Sequence, residues 1–425
     1  MPVKAVKSHS KTLFAGMVGN ILEWYDFVVY AYLAGLIGEL FFPSEDELAS
    51  LIKAFAVFAV GFVMRPVGAI LFGYLGDKLG RKKALTISII LMAIATTTIG
   101  LLPTYYQIGI LAPVLLFVLK LLQGLSVGGE YTTSVSFVVE HAPRYRRGFF
   151  GSIAILGAVV GILLGSGSVA FISGVLDPES FKSWGWRIPF FSGIILGFIG
   201  YYVRRNIKET PKFKELEEKK EIDKNPIIDV FKKAPREFLE TFGLSTFQAV
   251  GFYTLFVYLA THMIKFAHLE RAEALTVNTI SMIVLAVLIP FFGLLSDQIG
   301  RKPLIVFSTF SVFVLAYPLF ILLSSGSVGK ALLAQVIFAV IVAGFMAILP
   351  TTLVEIFPTK IRNSGYSIGY NLPFALFGGT APLIATVLIK YTGDINSPAF
   401  YLMAAAFVAF VLGLMIKETA KSELR

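Results

Sequence analysis

Twelve apolar runs, most of them long enough to cross a bilayer as a helix, constrain this chain more than any other feature. They fall near residues 13–38, 51–75, 84–102, 109–138, 149–175 and 187–204, and again near 238–262, 275–296, 303–324, 329–354, 365–390 and 398–416. A hydrocarbon core of roughly 30 Å takes about 20 helical residues to cross. A spanning segment must also satisfy its own backbone hydrogen bonds, so each run predicts a helix. Between the sixth and seventh runs lies a polar stretch, roughly 205–235, containing ETPKFKELEEKKEIDKNP. The expected organisation is a six-helix bundle over 1–204, a linker over 205–235 and a second six-helix bundle over 236–425.

Composition agrees. Hydrophobic residues make up 56% of the 425 and charged residues only 15%, too few to cover the surface of a soluble domain. There is no cysteine, which excludes disulfides, thiol catalysis and thiolate metal sites. The four histidines, His9, His141, His262 and His268, show no metal-ligand spacing, so neither a metal nor another cofactor is expected. No nucleophile–base set or phosphate loop appears, and an enzyme is not expected.

The net charge of +10 raises nucleic-acid binding, but the placement of the charge argues against it. With the N-terminus inside, the inner loops hold Lys4, Lys7, Lys11, Lys78, Arg81, Lys82, Lys83, Arg144, Arg146, Arg147, Arg301, Lys302, Lys360 and Arg362, and the charged linker. The outer loops hold only Lys53, Lys182, Arg187, Lys265, Arg271, Lys330 and Lys390. That is the asymmetry of cytoplasmic loops, and it predicts a plasma-membrane protein with both termini cytoplasmic. The basic start, MPVKAVKSHSKTLFAG, reads as a cytoplasmic tail rather than a signal peptide.

The chain repeats itself. GYLGDKLGRKK from Gly73 recurs as GLLSDQIGRKP from Gly293, so Asp77 and Arg81 match Asp297 and Arg301. Glu140 precedes Arg147 by the same spacing as Glu355 precedes Arg362. Duplicated bundles of this kind are a transporter architecture.

These loop motifs resemble those of the major facilitator superfamily. GNILEWYDFVVY (19–30), RPVGAILFGYLGD (65–77), TTTIGLLPTYYQIGILAP (96–113), LLQGLSVGGE (121–130) and ETPKF (209–213) narrow the resemblance to the metabolite–proton symporters, which carry proline and betaine, citrate, other dicarboxylates and shikimate. The resemblance covers the whole chain. It implies the major facilitator fold, two pseudo-symmetric six-helix bundles, and charge networks near the cytoplasmic ends of the spans. These would place Arg81 near Glu140 and Arg301 near Glu355, with Arg147 and Arg362 completing them. Such pairs would form when the carrier opens outward and break when it opens inward. Read alone, the basic residues need be no more than positive-inside charge. Lys120 departs from the arginine that relatives commonly carry there, and KETAKSELR is shorter than the coiled-coil tail of osmosensing carriers.

Inside the spans the charges are few. Glu23 and Asp26 stand at i, i+3 on one helical face, with Tyr30 extending it. Carboxylates at bilayer depth must face a polar cavity or a partner. Two close together disfavour a second negative charge, which suits one of them to carry a proton; the alternative is a structural lock on the first helix. Arg65 precedes Asp77 by about twelve residues, roughly 18 Å at about 1.5 Å per residue, which places it near the midplane. Lys120, Gln123 and Glu130 share a sector about 80° wide and are expected to face the same cavity, while Gly124 and Gly128 permit a close helix contact. Arg65 and Lys120 would neutralise Glu23, Asp26 and Glu130, or capture a substrate anion.

The second half has almost no midplane charge. Gln248, Tyr253, Tyr370 and Asn371 are its candidates for neutral substrate contacts. The favoured reading is a monomeric proton-coupled symporter of a small organic acid or zwitterion, whose partners are that metabolite, protons and the bilayer, with no nucleic acid. A sugar–proton symporter is the alternative, faintly suggested by ETP and KET after spans six and twelve. A non-transporting receptor or scaffold would have no need of midplane charge.

Overall fold

The structure is a computed structural model that describes residues 3–45, 47–206, 208–219 and 225–424. Residues 207 and 220–224 of the expected linker lie outside them. Among the described residues no strand occurs, and twelve helices are long and apolar enough to cross a membrane. They are α1 (Met17–Phe41), α2 (Ala56–Leu79), α3 (Arg81–Leu101), α4 (Leu111–His141), α5 (Arg144–Val175), α6 (Gly185–Arg205), α7 (Pro235–Lys265), α8 (Glu273–Ile299), α9 (Lys302–Leu323), α10 (Val328–Ile356), α11 (Arg362–Thr392) and α12 (Pro398–Met415). Each matches one apolar run. Several extend past it, because a helix goes on satisfying its backbone beyond the hydrocarbon as long as nothing breaks it. The linker contributes two short helices, Pro211–Glu218 and Pro226–Lys233.

The chain forms two compact units. One holds Met1–His141 and Leu156–Ile227; the other holds Ala142–Ile155 and Ile228–Arg425. Helix α5 therefore begins in the second unit and continues in the first.

In the first unit α2 and α4 are drawn together by small residues. A Cβ on Gly124 would stand 2.3 Å from the carbonyl oxygen of Gly61, and one on Gly128 would stand 2.1 Å from that of Arg65. The expected glycine pair thus brings α4 against the stretch of α2 that carries Arg65. In the same unit Tyr25, Tyr30, Trp186 and Phe190 are buried, while Ile94 and Phe198 stay largely exposed. The second unit likewise exposes Phe307 and Val287. Exposed apolar belts on long helices are the faces a bilayer covers.

The two repeated loops turn in the same way. Gly80 has φ 98° and Gly300 has φ 104°, a region that side chains disfavour, and each glycine links two spans.

Candidate functional site

On α1, i, i+3 spacing brings Glu23 and Asp26 to one cavity, as their helical phase requires. The cavity is also lined by Phe27, Phe58, Gly61, Phe62, Arg65, Lys120, Gln123, Gly124 and Val127. Glu23 meets Arg65 at 3.5 Å. Gln123 donates through Nε2 to Asp26 Oδ2, and through the same atom to Thr96 Oγ1 at 3.0 Å. The Lys120 ammonium lies 4.3 Å from the Tyr30 ring centroid and 5.6 Å from that of Phe58. Tyr30 is fully buried and donates its hydroxyl to the Ala54 carbonyl at 3.1 Å, so it backs Lys120 without being among the residues that line the cavity. Glu23 Oε2, Asp26 Oδ1 and Gln123 Oε1 are buried without a hydrogen-bond partner among the described residues. The cavity thus holds two acids and two cations, pairs Glu23 with Arg65, and keeps three acceptor oxygens in reserve.

Glu130 departs from the expected arrangement. It does not line this cavity and pairs with neither Arg65 nor Lys120. Its carboxylate meets the Arg204 guanidinium of α6 and accepts the Ser88 hydroxyl of α3. The reason is distance along the helix: Glu130 lies two turns beyond Gln123, and sharing a sector does not mean sharing a depth.

The repeated loops form charge networks within each unit. In the first, Arg81 meets Asp77 at 3.1 Å and Glu140 at 3.3 Å, donates to the Gly76 carbonyl at 2.7 Å, and stacks over the Phe213 ring. In the second, Arg301 meets Asp297 at 2.9 Å and Glu355 at 3.3 Å, and Arg147 reaches Glu355 at 3.8 Å. Asp297 also accepts from the backbone N–H groups of Gly148 and Phe149, at 2.8 and 3.0 Å, where α5 begins. Arg362 donates to the Val354 carbonyl at 2.9 Å.

The sequence reading overlooked two acids here. Glu209 accepts from the backbone N–H of Lys82 at 3.1 Å, and Glu418 accepts from Arg301 and Lys302 at 2.9 and 3.0 Å. Each carboxylate caps the first turn of the helix after a repeated loop, where free N–H groups and the helix dipole favour negative charge. A side chain on Gly80 or Gly300 would strike the cap, at 2.2 and 2.4 Å. The signal was present in the chain: ETP and KET both follow the last span of a half.

Twelve spans and two units carrying the same loop network decide the family. The description Major Facilitator Superfamily matches residues 16–368 and 241–424. The chain belongs to that superfamily.

Its relatives in the superfamily narrow the branch. It is 38% identical to the proline/betaine transporter of Salmonella typhimurium, over 98% of this chain and 85% of the relative. It is 39% identical to the glycine betaine/proline/ectoine/pipecolic acid transporter of Dickeya dadantii, over 98% of this chain and 84% of that one. Among solved structures, the proton:xylose symporter XylE with bound 6-bromo-6-deoxy-D-glucose superposes with a TM-score of 0.80 at 19% identity, covering 99% of this chain and 98% of that one. At that identity the likeness shows the fold alone. The chain is a membrane transporter and not an enzyme.

The neutral candidates of the second unit gather around two wide helical turns. Helix α7 becomes π-helical over Tyr253–Tyr258 and α11 over Phe374–Gly378. Tyr253 packs against Phe374 at 6.4 Å between centroids, and Tyr370 stacks on Phe374 at 4.4 Å. Asn371 donates to the Ser367 carbonyl at 3.0 Å, and the buried Gln248 keeps Oε1 without a partner among the described residues. Such π turns release backbone groups from the regular ladder and often mark functional positions. Phe374 and the turns themselves were not anticipated.

Proposed function

We propose that this transporter is a proton-coupled symporter of a small zwitterionic or anionic metabolite, of the proline/betaine class, working by alternating access. One observation carries the reading: a single cavity holds Glu23 with Arg65 and Asp26 with Gln123 and Lys120, and keeps unsatisfied acceptor oxygens. A proton on Glu23 or Asp26 cancels one negative charge; on Glu23, the partner of Arg65, it also releases that arginine to a substrate carboxylate, which it grips through its planar fork. The loaded cavity then carries less unpaired charge, and reorientation costs less. Gln248, Tyr253, Tyr370 and Asn371 are the second unit's candidates for neutral substrate contacts. Asp77, Arg81, Glu140 and Arg147, with Asp297, Arg301, Glu355 and Arg362, act as the cytoplasmic gate.

The relatives' names support the substrate class, and a cavity with paired charges suits a zwitterion better than a sugar. Both termini lie on the cytoplasmic side, a reading supported by the steep bias of Lys and Arg along the loops. An impermeant label that reaches Lys219 from outside intact cells overturns that orientation. A single chain contains every residue invoked, so the monomer suffices.

The test is uptake into proteoliposomes under an imposed pH gradient, with proline, glycine betaine, dicarboxylates and sugars compared. Accumulation of a zwitterion or acid that collapses when the gradient is dissipated is the expected result. Gradient-independent uptake, or uptake of sugars alone, overturns it.

A further inference from the structure

The charges leave one feature of the first unit's cavity unexplained. Three of its lining rings pack on one another along one wall, beside the charges. Phe27 lies 4.7 Å from Phe58 and 5.5 Å from Phe62, and Phe58 lies 5.6 Å from Phe62, centroid to centroid. Phe27 and Phe58 stay only half-buried within a cavity that also carries two carboxylates. Here cations sit beside them: Lys120 Nζ at 5.6 Å from Phe58, and the Arg65 guanidinium at 5.8 Å from Phe62. Ring faces attract cations, and a quaternary ammonium, which has no N–H to donate, is recognised chiefly by such faces and by nearby negative charge. Glu23 Oε2 and Asp26 Oδ1 supply that charge without being committed to another donor among the described residues.

We propose that Phe27, Phe58 and Phe62 form an onium subsite that holds the cationic end of a zwitterion, and that Lys120 is its resident substitute, displaced when substrate binds. The inference rests on the zwitterion reading above and deepens it. The carboxylate end meets Arg65, next to Phe62. The onium end takes the space beside Phe58 that the lysine ammonium partly fills. The cavity measures only about 40 Å³ with Lys120 in place, room for a few waters, so a methylated ammonium enters only as the lysine withdraws. A lysine suits this role better than an arginine. Its single ammonium on a four-carbon stem swings without breaking a bidentate fork.

The experiment compares two probes that differ in one atom. Glycine betaine carries a quaternary nitrogen; 3,3-dimethylbutyrate carries a carbon in its place and keeps the carboxylate. Binding to the purified full-length protein, measured without any gradient, is expected to favour betaine by about tenfold or more, the size of one good cation–π contact. Phe58→Leu should bring that preference to within about threefold, while Phe58→Tyr, which keeps the ring, should retain it. Lys120→Met should tighten betaine by removing its competitor and leave the isostere's affinity much less changed. Equal affinity of the two probes for the wild-type protein overturns the inference whether or not any variant folds, and so does an undiminished preference in folded Phe58→Leu. If betaine is accumulated under a pH gradient but the isostere competes equally, the subsite alone is wrong. If neither betaine nor proline binds or is transported, the zwitterion reading falls and takes the subsite with it.

Discussion

Glu130 and Arg204 form an ion pair in which neither side chain keeps any exposed surface. Arg204 also donates to the Leu85 carbonyl, and Ser88 donates to Glu130. A Cβ on Gly19 would collide with both partners, so α1 approaches the pair closely. The pair therefore ties α1, α3, α4 and α6 together. Glu130→Ala leaves a guanidinium buried without its counter-charge and should cost about 3–5 kcal/mol of stability. Replacing both partners, as Glu130→Leu with Arg204→Met, should recover most of that loss. Thermal denaturation of the detergent-purified variants reads both effects. If the double variant is as stable as the parent but no longer accumulates substrate, the pair serves coupling rather than architecture.

The loop networks give a second prediction. Asp297 holds Arg301 and also accepts two backbone N–H bonds from the start of α5. Hydrogen bonds to a charged group are worth about 1.5–3 kcal/mol each. Asp297→Asn, which removes the charge and half of the acceptor capacity, should shift the balance of carrier states by roughly tenfold or more. Asp77→Asn should act in the same direction from the first unit. Turnover should fall in both variants while substrate affinity, measured at equilibrium, changes less. Parental turnover in both would leave these residues as ordinary loop charge.

The two helix caps should titrate in opposite senses. Burial pushes the Glu209 carboxyl above its usual range, more than its hydrogen bonds pull it down. Burial also pushes Glu418 up, but bonds from the N–H groups of Arg301, Ala420, Lys302 and Thr419 outweigh it and hold the group below that range. A carboxyl that is raised binds its proton more tightly in the folded state, so its contribution to stability grows as pH falls. A depressed one contributes fully above the unfolded value and loses that contribution as pH falls through its own. On acidification Glu209 should therefore protonate first and Glu418 last. Infrared difference spectra of labelled glutamate should lose their higher-pH step in Glu209→Gln and their lower-pH step in Glu418→Gln; the reverse order would contradict both assignments.

What the sequence revealed, and what it hid, follows from the range of each interaction. The spans and the shared face of Glu23 and Asp26 depend on local periodicity, and the duplicated loops depend on spacing, so all were legible. The partner of Glu130 was not, because Arg204 lies 74 residues away at the end of α6, where it reads as one more positive-inside charge. Glu209 and Glu418 recur after the last span of each half, which was legible, but the helix starts they cap lie 127 and 117 residues earlier, which was not. The π turns meet where Tyr253 seats against Phe374 and Gly378, a contact between α7 and α11 that local periodicity does not encode. Phe27, Phe58 and Phe62 were invisible because a phenylalanine in an apolar run is normally a lipid or packing residue.

The sharpest remaining prediction separates the two acids of the cavity from its arginine. If Asp26 or Glu23 carries the transported proton, Asp26→Asn or Glu23→Gln should abolish accumulation driven by a pH gradient and spare exchange of labelled substrate across the bilayer. Exchange needs only reorientation of the loaded carrier, with no net proton movement. The amide fixes the neutral form of the acid and keeps its volume. Arg65→Gln should behave differently. It removes the bidentate donor for a carboxylate, so both accumulation and exchange should fall together, through weaker binding. Arg65 faces Glu23 at 3.5 Å, and its loss leaves that acid without its counter-charge. Each variant must therefore first be shown folded and inserted, since breaking a buried pair costs about 3–5 kcal/mol. A double variant, Glu23→Gln with Arg65→Gln, removes both charges and should regain stability without regaining binding. Should both single amide variants, Asp26→Asn and Glu23→Gln, accumulate substrate normally in the same liposomes, these carboxylates are structural, and the proton must travel by a route outside this cavity.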